Sequence, residues 1–77
     1  MGLIHSIADY EAMGCRRVDR SLGIQKMPEG YALMIDADEI YFFWLDKDGN
    51  TSVEHWNKWA VWKSAIRYSQ KQVINAS

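Results

Sequence analysis

The chain has 77 residues, a net charge of −1, one cysteine, and a composition that is 48% hydrophobic and 13% aromatic. A chain this short forms one domain, residues 1–77, and buries only about 60% of its unfolded surface. One cysteine excludes an internal disulfide, and no apolar stretch approaches the ~20 residues of a membrane span, so we expect a cytoplasmic protein without a membrane partner.

The first predicted element is a short helix from Ile7 to Met13. Ser6 precedes it as an N-cap, and Asp9 occupies the third helical position near the positive end of the helix dipole. Gly14 is a typical C-terminal stop. The following residues 15–23 are mixed and polar and predict a loop, and residues 27–30 predict a turn around a Pro and a Gly.

Three strands are predicted next, at residues 31–35, 40–45 and 51–55. The segments between them, residues 36–39 and 46–50, are rich in Asp, Gly and Asn, which favour tight turns. Sequential strands joined by tight turns form an antiparallel meander, and we place the strand of residues 40–45 in its middle.

The middle strand is the most informative stretch, because residues 40–45 are six consecutive large apolar residues, four of them aromatic. A strand with one face in water alternates polar and apolar side chains, since successive side chains point to opposite faces. This run does not alternate, so both faces require cover. We expect Ile40, Phe42 and Trp44 to face a helix and Tyr41, Phe43 and Leu45 to face outward.

A final helix is predicted over residues 58–73, with Asn57 as its cap; in the alternative, residues 51–56 start this helix early instead of forming a strand. Apolar side chains repeat at helical spacing along it and predict a core-facing stripe of Trp59, Trp62, Ile66 and Val73. The expected fold is therefore α+β: a short N-terminal helix, a three-stranded antiparallel meander, and a longer C-terminal helix packed on one sheet face. The short first helix is not expected to cover the second face completely.

Residues 46–57 begin like a calcium-binding loop, with oxygen-bearing side chains at the first, third and fifth positions. The sixth position requires Gly for a sharp bend and holds Thr51, and the twelfth requires a bidentate Glu and holds Asn57. A hairpin turn explains the segment better. We therefore predict no metal and no cofactor.

No motif assigns catalytic roles. The two histidines, His5 and His55, are fifty positions apart and lack a companion at metal-ligand spacing. Cys15 lies beside Arg16 and Arg17, whose positive charges favour the thiolate and predict mild reactivity. The sequence therefore predicts a protein that is not an enzyme.

Charge is distributed unevenly along the chain. Residues 31–57 hold six acidic side chains and one lysine, whereas residues 58–77 hold four basic side chains and no acid. In the last helix the basic residues alternate with tryptophans, a pattern that also suits single-stranded nucleic acid or a membrane surface. Core packing of the tryptophans with solvated lysines explains the same pattern and is preferred, which leaves nucleic-acid binding as the alternative function.

The segments of residues 29–34, 36–39, 41–44 and 55–59 together give a compact aromatic pattern. Across residues 29–62 this pattern resembles small accessory proteins of tailed phages and prophages. The resemblance implies a host-directed role, in which the protein binds a host protein and inhibits or redirects it. No functional residue is carried over from the resemblance.

The favoured hypothesis is a protein-binding module that acts on a host protein or pairs with a second copy of itself. Aromatic anchors ringed by charge are typical of strong interfaces, because the rings supply desolvated area and the charges orient the partner. The predicted partner-binding residues are the outer sheet face and the acidic turn: Tyr31, Asp36, Asp38, Glu39, Tyr41 and Phe43.

Overall fold

The computed structural model describes residues 6–76, and the side chains of residues 6–71. Its elements in chain order are α1 (Ile7–Ala12), β1 (Arg16–Arg17), a 3₁₀ helix (Asp19–Leu22), β2 (Tyr31–Ile35), β3 (Phe42–Asp46) and α2 (Lys58–Ala76). The three strands form one antiparallel sheet and α2 packs against it, which confirms the predicted α+β fold. Val73 belongs to the predicted core-facing stripe of the last helix, but its side chain lies outside the described residues.

Helix α1 begins as the sequence predicts. The backbone N–H of Asp9 donates to the Ser6 hydroxyl at 3.3 Å, and the backbone N–H of Ser6 donates to the Asp9 carboxylate at 3.0 Å. These reciprocal bonds form a capping box, which satisfies N–H groups that the first turn of a helix leaves without partners. Gly14 follows the helix with a φ of +99°, a conformation that favours glycine.

The sheet order is β1-β2-β3, so β2 is the central strand rather than residues 40–45. Strand β1 comes from the segment predicted to be a loop, and pairs Arg16 with Ile35. The predicted strand at residues 51–55 is reduced to two isolated bridges, Phe42 with His55 and Leu45 with Thr51. Between these bridges β3 contributes two residues and the facing segment contributes three, so an extra residue bulges out and interrupts regular pairing.

The hairpin of β2 and β3 is covered on both faces. On the α2 face, Leu33 and Trp44 pack with Leu22, Val61 and Ala65. The other, or α1, face holds a second cluster of Ala32, Met34, Phe43 and Leu45, against which Ile7, Tyr10 and Cys15 pack. Covering both faces explains why neither strand alternates polar and apolar residues.

Two expectations about the helices need correction. Phe43 and Leu45 do face away from α2, but α1 and its neighbours bury them. Within α2 the buried stripe runs through Val61 and Ala65, so Trp59 is displaced to the surface and is 39% exposed. Helical spacing fits both the predicted stripe through the tryptophans and the observed stripe through Val61 and Ala65. The small side chains of the observed stripe let α2 approach the sheet closely.

Tyr41 and Phe43 provide a matched test of this burial. Phe43→Ala is expected to lower the free energy of unfolding by about 3–5 kcal/mol, because it opens a cavity in the α1-face cluster. Tyr41→Ala should cost less than about 1 kcal/mol, since the ring is largely outside both clusters. Urea denaturation measures both values. Phe43→Leu, which keeps most of the volume, should cost under ~1.5 kcal/mol, and equal losses for the two alanine variants would contradict the described packing.

Candidate interaction surface

The six predicted partner-binding residues do not form one surface. Phe43 is only 5% exposed, and its ring centroid lies 5.4 Å from that of Tyr10 on α1. Tyr31 lies on the opposite face of the sheet, with its ring 5.1 Å from Trp44 and 6.4 Å from Tyr68. The prediction that these two rings share an open sheet face is wrong. Tyr31 pairs with Asp46, three residues after Phe43, and side chains alternate along a strand, so the two rings lie on opposite faces.

Tyr31 is part of the α2-face packing. Burial raises the pKa of its hydroxyl, and the negative charge of Asp46 raises it further. The tyrosine therefore remains protonated over the physiological range, and it contributes an edge-on aromatic contact to Trp44.

The acidic turn between β2 and β3 is largely engaged in its own structure. The Asp36 carboxylate accepts hydrogen bonds from the backbone N–H groups of Ile40 at 2.9 Å and Tyr41 at 3.4 Å. Glu39 has a φ of +59°, and its carboxylate pairs with Arg16 at 3.1 Å in an exposed ion pair. Asp38 is exposed at the tip of the turn. Asp36 thus shapes the turn, and Asp38 and Glu39 are the acids that face solvent.

Asp46 has the same role in the second turn. Its carboxylate accepts from the backbone N–H of Asp48 at 2.9 Å, and from the backbone and side-chain amides of Asn50 at 2.8 and 3.0 Å. These bonds satisfy a carboxylate that is nearly buried. They form the hairpin turn predicted from the sequence.

The edge of the sheet beyond β3 carries the most exposed aromatic side chain. The backbone N–H of Phe42 donates to the His55 carbonyl at 2.7 Å, and the His55 N–H donates back to the Phe42 carbonyl at 2.9 Å. The residues one step beyond this antiparallel bridge are Tyr41 and Trp56, one on each of the two bridged segments. Tyr41 is 42% exposed and Trp56 is 75% exposed.

Trp56 sits between two fixed points. The His55 ring stacks nearly parallel to the indole, with centroids 6.2 Å apart. On the other side, Asn57 caps α2 by accepting the Trp59 N–H at 2.9 Å, and its own N–H donates to Nδ1 of His55 at 2.9 Å. Trp56 was not among the predicted partner-binding residues, although its position immediately before the cap residue indicated that it lies outside the helix.

The outer face of α2 is a second exposed surface. Trp59, Lys63, Arg67 and Lys71 are all exposed and follow one another at intervals of four residues. Lys58 is held differently, because its Nζ donates to the Ser21 carbonyl and lies 5.6 Å from the centroid of the Trp59 ring. Trp62 is also anchored, since its indole N–H donates to the Lys26 carbonyl at 3.0 Å.

Helix α1 leaves cavities at both of its ends. One of about 480 Å³ is lined by the start of α1 and the ends of β2 and β3, including Ile7, Tyr31 and Lys47. The other, of about 300 Å³, is lined by Cys15 together with Met13, Phe43 and Glu54. Six helical residues span only about 9 Å, which explains why the cover is shorter than the strands beneath it.

Cys15 does not have the electrostatic environment that the sequence suggested. Burial raises the pKa of its thiol, and the carboxylates of Asp36 and Glu54 raise it further. The side chains of Arg16 and Arg17 pair instead with Glu39 and Asp19. The prediction of a favoured thiolate is therefore wrong, because the guanidinium groups are directed toward other partners.

Within residues 6–76, no three His, Cys, Asp or Glu side chains come together as ligands for a metal ion. No helix among these residues combines the length and apolarity needed to cross a membrane. Comparison of the chain with family models, with curated proteins and with solved structures found no significant match. The resemblance to phage accessory proteins therefore stays a prediction.

The raised pKa of Cys15 predicts slow alkylation. Iodoacetamide reacts with the thiolate, so at pH 8 the native protein should react more slowly than the urea-unfolded chain, with its rate midpoint at higher pH. Because folding favours the protonated thiol, this group should also lose its stabilising contribution as pH rises past the ordinary thiol pKa. Mass spectrometry measures the rates. A native rate at pH 8 that equals or exceeds the unfolded rate would contradict the described environment.

Proposed function

We propose that this protein is a small protein-binding module without enzymatic activity. Its docking surface is the aromatic edge, which we define as Ile40, Tyr41 and Trp56. One observation carries the proposal: Trp56 is 75% exposed although both sheet faces are covered by the chain's own helices. The chain therefore covers both sheet faces with other apolar residues, and it leaves a tryptophan, the largest kind of side chain, exposed to water.

The aromatic edge has the composition of an interface centre. Tryptophan and tyrosine are enriched among residues that dominate binding energy, because a buried ring removes much apolar area from water while few torsions are immobilised. Ile40 is 54% exposed and adds aliphatic area beside Tyr41. Together these residues supply the anchor that a partner with an apolar pocket would accept.

The edge is also held in place before binding. The Phe42–His55 bridge fixes the backbone on one side of Trp56, and the Asn57 cap fixes it on the other. The Asp36 carboxylate fixes the backbone of Ile40 and Tyr41. A preorganised surface loses less conformational entropy on association, which favours affinity from a small area.

The charges near the edge indicate the chemistry of the partner. Asp38 and Glu39 are exposed at the tip of the adjoining turn, and they are the residues of the predicted acidic set that face solvent. Charges at the rim of an interface mainly steer encounter and select partners of opposite sign. We infer a partner whose apolar pocket is flanked by basic side chains.

The resemblance of residues 29–62 to phage accessory proteins extends this proposal to a bacterial host protein as the partner, which binding would inhibit or redirect. A second copy of this chain is the competing occupant of the same edge. Both readings place the protein in the cytoplasm, in agreement with its single cysteine.

Affinity capture from a bacterial lysate, followed by titration of the purified partner, tests the proposal. Trp56→Ala should weaken the complex by about 2 kcal/mol or more, roughly thirtyfold, because a central tryptophan is a typical hot spot. Isothermal titration calorimetry measures the loss. The solution mass of the protein alone shows whether the edge pairs two copies.

The matched control is Ile24→Ala, which removes an apolar side chain that is 92% exposed but lies in the loop after the 3₁₀ helix. Binding should survive this change within about twofold, since isolated exposed apolar residues contribute little. Equal effects of the two substitutions, or a protein that neither captures a partner nor self-associates, would overturn the proposal.

A further inference from the structure

The outer face of α2 presents an aromatic ring followed by three cations. Trp59, Lys63, Arg67 and Lys71 are exposed and lie four residues apart. Four residues advance a helix by about 6 Å and slightly exceed one turn, so these side chains form a gently curving row on one face. The row is independent of the aromatic edge, which lies before the start of α2.

The three cations have no acidic partners among the described residues. The two ion pairs in residues 6–71 join Arg16 to Glu39 and Arg17 to Asp19, both far along the chain from α2. The sequence from residue 58 onward contains no acid. Their positive charge is therefore not neutralised locally, and it is available to a polyanion.

The helix that carries this row is packed against the sheet. Val61 and Ala65 on the opposite side of α2 are fully buried in the α2-face cluster. The Trp59 ring is positioned by an edge-on contact with Trp62, with centroids 5.8 Å apart, and by the nearby Nζ of Lys58. The helix backbone that carries the cations, and the Trp59 ring, are therefore held in place in the free protein.

We propose that this face binds single-stranded nucleic acid. Lys63, Arg67 and Lys71 would neutralise successive phosphates, whose separation along a strand is comparable with one helical turn. Trp59 would stack on a base, an interaction that requires an unpaired base and tolerates any sequence. Among the described side chains of this face, Trp59 is the one exposed large apolar residue, which is too little apolar area for the centre of a protein interface.

The acidic turns define where the strand lies. Asp38 at one turn and Asp48 at the other are exposed and would repel phosphates. A strand bound along α2 faces away from the sheet that carries these turns, so it avoids this repulsion. The acidic segment and the basic segment of the sequence thus lie on two different surfaces of the folded protein.

Fluorescence anisotropy of labelled oligo(dT), titrated with the full-length protein at several salt concentrations, tests the proposal. Neutralising three phosphates predicts a slope of log affinity against log salt of about −2, since each contact on a single strand contributes about −0.7. Trp59→Ala should weaken binding by about tenfold, and Trp59→Phe, which keeps a ring, should restore most of it.

A matched pair of variants separates the face from overall charge. Lys63→Glu with Lys71→Glu should reduce the salt slope to about −0.7, because one cation remains. Lys26→Glu with Lys47→Glu makes the same change in net charge at exposed lysines off this face and should leave the slope unchanged. Trp56→Ala should also leave oligonucleotide binding unchanged, so this inference and the protein-binding proposal can fail separately.

Three results would overturn the inference: no saturable binding at low salt, equal losses in the two double variants, or equal affinity for duplex and single strand with no effect of Trp59→Ala. Equal or tighter binding to anionic lipid vesicles would likewise assign the face to a membrane surface instead.

Discussion

The structure depends on a β-hairpin that is apolar on both faces. Strands β2 and β3 pair from Tyr31 with Asp46 to Ile35 with Phe42, and their side chains point alternately toward α2 and toward α1. Such a hairpin is stable in water only if both faces are covered, because each buried side chain contributes about 1.5–3 kcal/mol. A chain of 77 residues meets this requirement with one long helix and one helix of six residues.

Polar groups inside this arrangement are satisfied locally. The Trp44 indole N–H donates to the Ser64 hydroxyl at 3.0 Å, which joins α2 to the sheet. Asp19 accepts the backbone N–H of Leu33 at 2.8 Å, and Asp36 and Asp46 bind the backbone of the two turns. Of the three carboxylates predicted as interaction residues, Asp36 thus serves to close its turn, because a short loop has few other acceptors for its N–H groups.

Covering both faces of the hairpin determines where binding surfaces remain. The sheet faces are occupied, so the exposed aromatic and cationic side chains lie at the sheet edge and on the outside of α2. Trp56 at the edge and Lys63 on the helix belong to these two separate surfaces. Each surface is attached to rigid backbone, so binding at either of them, as proposed, would cost little conformational entropy.

Local patterns in the sequence determined the capping box at Ser6, the turns at residues 36–39 and 46–50, the start of α2 after Asn57 and the α+β class, because each depends on neighbouring residues. Tertiary packing alone decided how α1 covers the second face of β3 and which stripe of α2 is buried. The reason is that Phe43 and Trp59 have the same local preferences whether they are buried or exposed, and only the contacts of α1 with one face and of Val61 with the other distinguish these states.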